Sequence, residues 1–201
     1  PNYVYELVDD RDEEDVSGED LASQIGLESS FAVNDPIAKI SSPTARRNQY
    51  WAYSTNLPKA WSNAGDSSHR STVAVLDSSI YAAHEDLYTN VLSGYAYDAM
   101  NRKHMSLGTS DPTSNVGHGS HIAGIIAATS NNGRGIAGAS YNCQVLPVMV
   151  INDAGKGNTA SIILGITYAM QMARQHPEWG LRTINMSLRV GSSANGDKLL
   201  H

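Results

Sequence analysis

STVAVLD, running from Ser71 to Asp77, is a short β-branched and apolar segment closed by a carboxylate. Its apolar residues are consecutive rather than alternate, the pattern of a parallel strand covered on both faces. Two later runs read the same way: QVLPVMVI, Gln144 to Ile151, and RTINMSL, Arg182 to Leu188. Pro147 lies inside the first of these, and its missing N–H predicts a bulge or a strand end there. Between the strands, HGSHIAGIIAATS from His118 places small and apolar residues at helical spacing. TASIILGITYAMQMA, Thr159 to Ala173, does so with Ile162, Ile163, Ile166, Ala169, Met170 and Ala173. Strand, helix, strand, helix, strand with right-handed crossovers predicts an α/β fold, a three-layer sandwich around a mostly parallel sheet. Functional groups of such a sheet gather at the carboxyl ends of its strands.

The chain has 201 residues, 41% of them hydrophobic, enough for a real core. The formal net charge of −6, with only 14 Lys and Arg, argues against nucleic acid or an anionic membrane surface as partner. No run approaches the roughly 18 apolar residues of a membrane span, so no membrane insertion is expected. PNYVYELVDD at the start has no basic region followed by an apolar stretch, which puts any secretion signal upstream of Pro1. The single cysteine, Cys143, excludes an internal disulfide framework and reads as a residue packed beside the sheet. DDRDEEDVSGED, Asp9 to Asp20, is dense in like charge and reads as a solvated linker. Val4 to Val8 before it could form a short strand, and Leu21 to Phe31 after it is weakly structured. The proline of NDP, Asn34 to Pro36, enforces a turn, and the main domain is placed from Asn34 onward. No internal repeat is visible.

Asp77 ends the first strand, where an open parallel sheet puts its active site, although an aspartate there can simply cap the next turn. His118 opens a helix within GHGSHIAG, where Gly117, Gly119 and Gly124 permit close packing. Taken together, VLDSSIYAAHEDL, GHGSHIAGIIAA and TINMSL resemble, in order and in flanks, the three successive signatures of subtilisin-like serine proteases. The resemblance extends to NDP and NQYWAYSTNLPKAW before the aspartate, and to GRGIAGAS and DAGKGNTASIILGITYA after the histidine, covering about Asn34 to Arg189. PNYVYEL is similar to the last strand of such a protease's inhibitory propeptide. The resemblance therefore implies a propeptide end at 1–8, an acidic linker and processing region at 9–33, and at 34–201 the N-terminal part of a subtilisin-like peptidase domain, incomplete at its C-terminus.

A serine hydroxyl is a weak nucleophile near neutral pH and needs a base. In the roles the resemblance implies, His118 takes the serine proton and returns it to the leaving amine, while Asp77 sets the imidazole tautomer and stabilises the imidazolium. Ser79 departs from the family's preferred glycine two residues after the aspartate, which bears on the turn and not on the carboxylate. Substrate polypeptide would lie extended between two segments, Lys156, Gly157 and Asn158 on one side and Ser187, Leu188 and Arg189 on the other. Arg189 stands where the family usually has glycine, and could narrow the pocket or favour acidic side chains. The resemblance also implies a structural Ca2+ held by side chains of Asp35, Asp86 and Asn132 with carbonyls of Thr129, Arg134 and Ile136. The ordinary alternative is that Asp86 caps a turn and Asn131 and Asn132 form a surface turn. Partners implied are polypeptide substrates and the protein's own propeptide as inhibitor, and the implied location is secreted or extracellular.

Other signals carry less. GRGIAG, Gly133 to Gly138, has the spacing of a dinucleotide loop but follows a helix and precedes a strand, the reverse of the required order. His118 and His121 lack a third zinc ligand. Asn185-Met186-Ser187 is a glycosylation sequon inside an expected buried strand. The family's oxyanion asparagine and its Gly-Thr-Ser-x-Ala nucleophile motif do not occur before His201, and Ser192 and Ser193 read as loop. The chain by itself is therefore expected to be inactive, the serine lying beyond it. The competing readings are a non-catalytic peptide-binding module and, more remotely, a dinucleotide-binding oxidoreductase.

Overall fold

A computed structural model describes residues 33–38, 49–64, 71–107, 117–152 and 154–189. The expected strand at Val4 to Val8, the acidic stretch, Leu21 to Phe31, and Ser192 with Ser193 lie outside the described residues. The sheet comprises β1 (Ser71–Asp77), β2 (Tyr97–Asp98), β3 (Lys103–His104), β4 (Cys143–Met149) and β5 (Leu181–Asn185) in the order β3-β2-β4-β1-β5. β1 runs parallel to both β4 and β5, β4 is parallel to β2, and only the β2–β3 pair is antiparallel. The α-helices among the described residues are α1 (Tyr50–Ser54), α2 (Leu57–Ala64), α3 (Gly117–Ala127) and α4 (Thr159–Gln175).

The consecutive apolar residues of β1 face two different layers, as a side-chain period of two requires. Ala74 and Leu76 join Leu146, Val148 and Val150 against Tyr168, Ala169 and Met172 of α4. Val75 joins Val145 and Cys143 against Ala123 and Ala127 of α3 on the opposite face. Each fully buried aliphatic side chain contributes about 1.5–3 kcal/mol, so the alternation commits α3 and α4 to opposite sides of the sheet. Cys143 packs in this core. A third cluster, Val33, Ala38, Ala52, Trp61 and Ala137, lies under α1 and α2. Val33, assigned to the linker from sequence, is thus a core residue one position before the expected boundary. Gln49 is fully buried and clamps the Ala137 peptide, its amide nitrogen donating to the carbonyl and its oxygen accepting from the N–H.

Three expectations about the strands are corrected. Pro147 sits in mid-strand, in unbulged register opposite Val75. The Val145 N–H donates to the Asn90 carbonyl, and the Val145 carbonyl accepts from the Leu92 N–H. Alternation turns the Pro147 nitrogen to that same side, where the neighbouring chain leaves the sheet as a 3-10 turn, Ser93–Tyr95, before pairing resumes at Tyr97 and Val148. The missing donor costs no ladder bond. The short β2 and β3 were not expected, because two residues cannot display a period. β5 ends at Asn185 rather than Leu188, and Arg182 and Thr183 are exposed, so it is not buried throughout.

α4 opens with a capping box between Asn158 and Ser161, and the Ser161 hydroxyl also donates to the Val150 carbonyl. At the helix's middle the Tyr168 hydroxyl donates to the Tyr95 carbonyl at 2.9 Å. Burial, with Tyr97 and Tyr95 nearby, pushes that hydroxyl's pKa up to about 12, so it remains a donor at any working pH. Gly165 gives the helix its close approach: an added Cβ would lie 2.7 Å from Val150 Cγ1 and 3.2 Å from Leu76 Cδ2. Both neighbours belong to fully buried residues of the sheet layer. Gly165→Ala gains up to about 1 kcal/mol of helix propensity but incurs about 1–3 kcal/mol of overpacking. The expected net result is a melting temperature lower by roughly 2–4 °C per kcal/mol lost, and a melting temperature raised by the substitution would contradict this packing.

Candidate active site

β1 lies between β4 and β5, so its last residue reaches the sheet's carboxyl edge with a strand on each side. Asp77 stands in register with Met149, and its carbonyl accepts from the Val150 N–H at 2.9 Å. Its side chain is fully buried. Oδ1 accepts from the Ser78 N–H at 2.7 Å and lies 2.7 Å from His118 Nδ1, while Oδ2 has no hydrogen-bond partner among the described residues. Burying a carboxylate is costly unless it is bonded, so the contact with His118 is a strong local constraint. A carboxylate accepts only, so the bond assigns the imidazole proton to Nδ1 and leaves Nε2 with a free lone pair. The His118 side chain remains 49% exposed, against 0% for Asp77, so the imidazole bridges from the buried carboxylate to the surface.

His118 is the second residue of α3, and what brings it to Asp77 is the approach of that helix to the residues after β1. A Cβ on Gly119 would lie 2.6 Å from the Ser78 carbonyl oxygen and 2.9 Å from that of Ser79. Only Gly119 among the three expected close-packing glycines has this role. Gly117 faces open space and Gly124 would make ordinary contact with Ile136, because both lie away from the β1 turn. Sequence reasoning passed over Ser78 and Ser120, whose hydroxyls bond this turn to the helix. Serine in a small-residue stretch gives no signal of such pairing.

The two expected substrate segments lie beyond the carboxyl ends of β4 and β5, the strands flanking β1. Gly157 makes an isolated antiparallel bridge with Ile151, and Lys156 is held by the Asn152 side chain and backbone. Lys156, Gly157 and Asn158 are exposed, but the Asn158 side chain is engaged in capping α4. Leu188 packs against the core, the Ser187 hydroxyl accepts from the Asn185 amide, and Arg189 is exposed. Apart from Lys156 and Arg189, these segments therefore offer a ligand mainly backbone. Asn185, the sequon asparagine, ends β5 half-buried with its amide directed to Ser187.

The side chains of Asp35, Asp86 and Asn132 lie in one hydrogen-bonded network. Asp35 is fully buried, its two oxygens accepting from the Asn132 N–H at 3.1 Å and the Asn131 N–H at 2.8 Å. Asp86, 4% exposed, accepts from the Asn132 amide at 2.7 Å and from the Ile136 N–H at 3.0 Å. The Thr129 N–H donates to the Asp86 carbonyl. The Asn132 amide oxygen accepts from the Arg134 N–H, and the Arg134 guanidinium pairs with Glu85 at the surface. Burial raises the Asp35 carboxyl above its ordinary value; backbone hydrogen bonds from Asn131 and Asn132 oppose this, and the charge of Asp86 adds to it. Two buried carboxylates that repel each other, amid neutral oxygens, suit a hard cation. Among the described residues no group of three or more His, Cys, Asp or Glu could hold a metal, so any cation here must draw on amide and carbonyl oxygens.

The profile of the subtilase family matches residues 68–198, more than half of the sequence. The chain belongs to the subtilase family. Thermitase of Thermoactinomyces vulgaris is 32% identical to this subtilase over 153 residues, covering 75% of the chain and 49% of thermitase. An extracellular protease of Xanthomonas campestris pv. campestris is 31% identical over 189 residues, covering 79% of the chain and 31% of that protein. A solved protease of Pseudoalteromonas arctica PAMC 21717 superposes with a TM-score of 0.53 at 34% identity, covering 70% of the chain and 44% of the other. The α/β fold is subtilisin-like, and the chain spans half or less of the length of these relatives.

Proposed function

We propose that this subtilase is part of a serine-type endopeptidase of the subtilisin type, with Asp77 and His118 as two members of its catalytic triad. The observation that supports this most is the 2.7 Å bond from His118 Nδ1 to a buried carboxylate at the carboxyl edge of the sheet, with the imidazole half exposed. In this reading a serine supplied by chain beyond His201 places its hydroxyl at His118 Nε2. As the hydroxyl attacks a peptide carbonyl, Nε2 takes its proton and later delivers it to the leaving amine, while Asp77 holds the ring and offsets the imidazolium charge. Residues 1–201 alone hydrolyse no peptide in this proposal, since loss of even one oxyanion donor costs about 10²–10³ in turnover.

The substrate is a polypeptide bound extended between Lys156, Gly157 and Asn158 on one side and Ser187, Leu188 and Arg189 on the other, held by backbone hydrogen bonds. Arg189 adds a preference for acidic side chains. Asp35, Asp86 and Asn132, with the carbonyls of Thr129, Arg134 and Ile136, would hold a structural Ca2+, which would neutralise the two buried carboxylates and brace the loop. Residues 1–8 form the end of an inhibitory propeptide in this reading, and the acidic stretch is the processing region. Secretion is supported by relatives named as cell wall-associated and extracellular proteases. No helix among the described residues is long and apolar enough to cross a membrane.

Fluorophosphonate labelling of the complete protein tests the assignment directly. A covalent adduct is expected, with Asp77→Asn lowering turnover by about 10⁴; no adduct with peptide binding retained would establish a non-catalytic binding module instead. Acidic and apolar peptide libraries should be cleaved with different preference by the parent and by Arg189→Gly, and identical profiles would end the idea that Arg189 selects. Added Ca2+ should raise the melting temperature of the folded protein, and a melting curve unmoved by chelation would remove the cation from the proposal.

A further inference from the structure

The turn after β1 and the start of α3 exchange hydroxyls. Ser78 Oγ accepts from the Gly119 N–H at 3.0 Å, and Ser120 Oγ accepts from the Tyr81 N–H at 2.9 Å. Each segment thus offers one side-chain acceptor to the other's backbone, and the two bonds flank the contact between Asp77 and His118. The first of them answers a specific need. The first four N–H groups of a helix have no partner within it. Gly119 is the third residue of α3, so Ser78 supplies a partner across space for one of these N–H groups. Ser78 is buried, and the Gly119 Cα approaches its carbonyl too closely for a Cβ, so the bond forms in a packed, water-poor contact.

We propose that Ser78 and Ser120 are positioning residues that latch the start of α3 to the end of β1 and thereby hold the His118 imidazole in hydrogen-bonding register with Asp77. The adjacency explains why the latch matters. Ser78 follows Asp77 directly, and Gly119 follows His118 directly. The Ser78 hydroxyl therefore ties the two backbones one residue away from each side chain that must meet. Neither serine donates to or accepts from Asp77 or His118 through its side chain. This inference rests on the proposed peptidase reading for its kinetic consequence but not for its spectroscopic one.

The test uses the complete protein and two readouts, peptide hydrolysis and the low-field proton resonance of an imidazole N–H held by a carboxylate. Ser78→Ala should weaken or abolish that resonance and lower kcat by about ten- to a hundredfold, the scale of a misplacement of about 1 Å, with KM unchanged. Ser78→Thr, which keeps the acceptor, should restore both, and Ser120→Ala should shift both in the same direction as Ser78→Ala. A Ser78→Ala protein with a lower melting temperature but unaltered kcat and resonance would show a merely structural bond and overturn the proposal. If Ser78→Ala does not fold, Ser120→Ala decides, and unchanged kcat and resonance in that variant overturn the latch. A parent protein that neither hydrolyses peptides nor takes the fluorophosphonate would sink the peptidase reading alone, since the resonance still reports on the latch.

Discussion

A carboxylate with no exposed surface, reached by one imidazole, is the constraint on which the arrangement depends. Asp77 cannot be placed there cheaply, because a buried charged group must be bonded or neutralised. Its position follows from β1 lying between β4 and β5, which leaves the end of the strand surrounded by protein rather than water. The His118 ring meets this need from one side and remains open to solvent on the other. A polarised imidazole with a free Nε2 is the chemical product of that geometry.

The geometry is transmitted through backbone contacts more than through large side chains. Gly119 lets α3 come within contact of the Ser78 and Ser79 carbonyls, and Gly165 lets α4 settle against Val150 and Leu76 on the opposite face. The two helices therefore clamp β1 from both sides at nearly the same level of the strand. The core contributes the bulk of the burial free energy, but the glycines decide how close the layers come.

A second set of contacts surrounds the loop after α3. Asp35, Asp86 and the loop from Asn131 to Ile136 form a dense set of backbone-to-carboxylate bonds, and the Ile37 N–H adds a bond to the Gly135 carbonyl. Gln49 and Trp61 fasten α1 and α2 to Ala137 and Ala139 immediately beyond that loop. The loop leads out of α3, so its order bears on the helix that carries His118. Burial of the Asp35 carboxylate, with the charge of Asp86 adding to it, is unfavourable in this region.

The sequence by itself determined the layered fold, because the continuous apolar runs at Ser71 to Asp77 and Gln144 to Ile151 and the helical spacing at Thr159 to Ala173 leave few ways to bury those residues. It also singled out Asp77 and His118, since a strand-ending carboxylate and a helix-opening histidine stand in signatures with a fixed order. Only the tertiary structure decided the rest. The tolerance of Pro147 in mid-strand depends on where a neighbouring chain turns away, and β2 pairs along β4 while β3 pairs in turn along β2. Val33 joins a core cluster that includes Ala137, far along the chain. The capping of α3 by Ser78 joins residues 41 apart, and a hydroxyl's hydrogen bond leaves no period in the sequence from which its partner could be read.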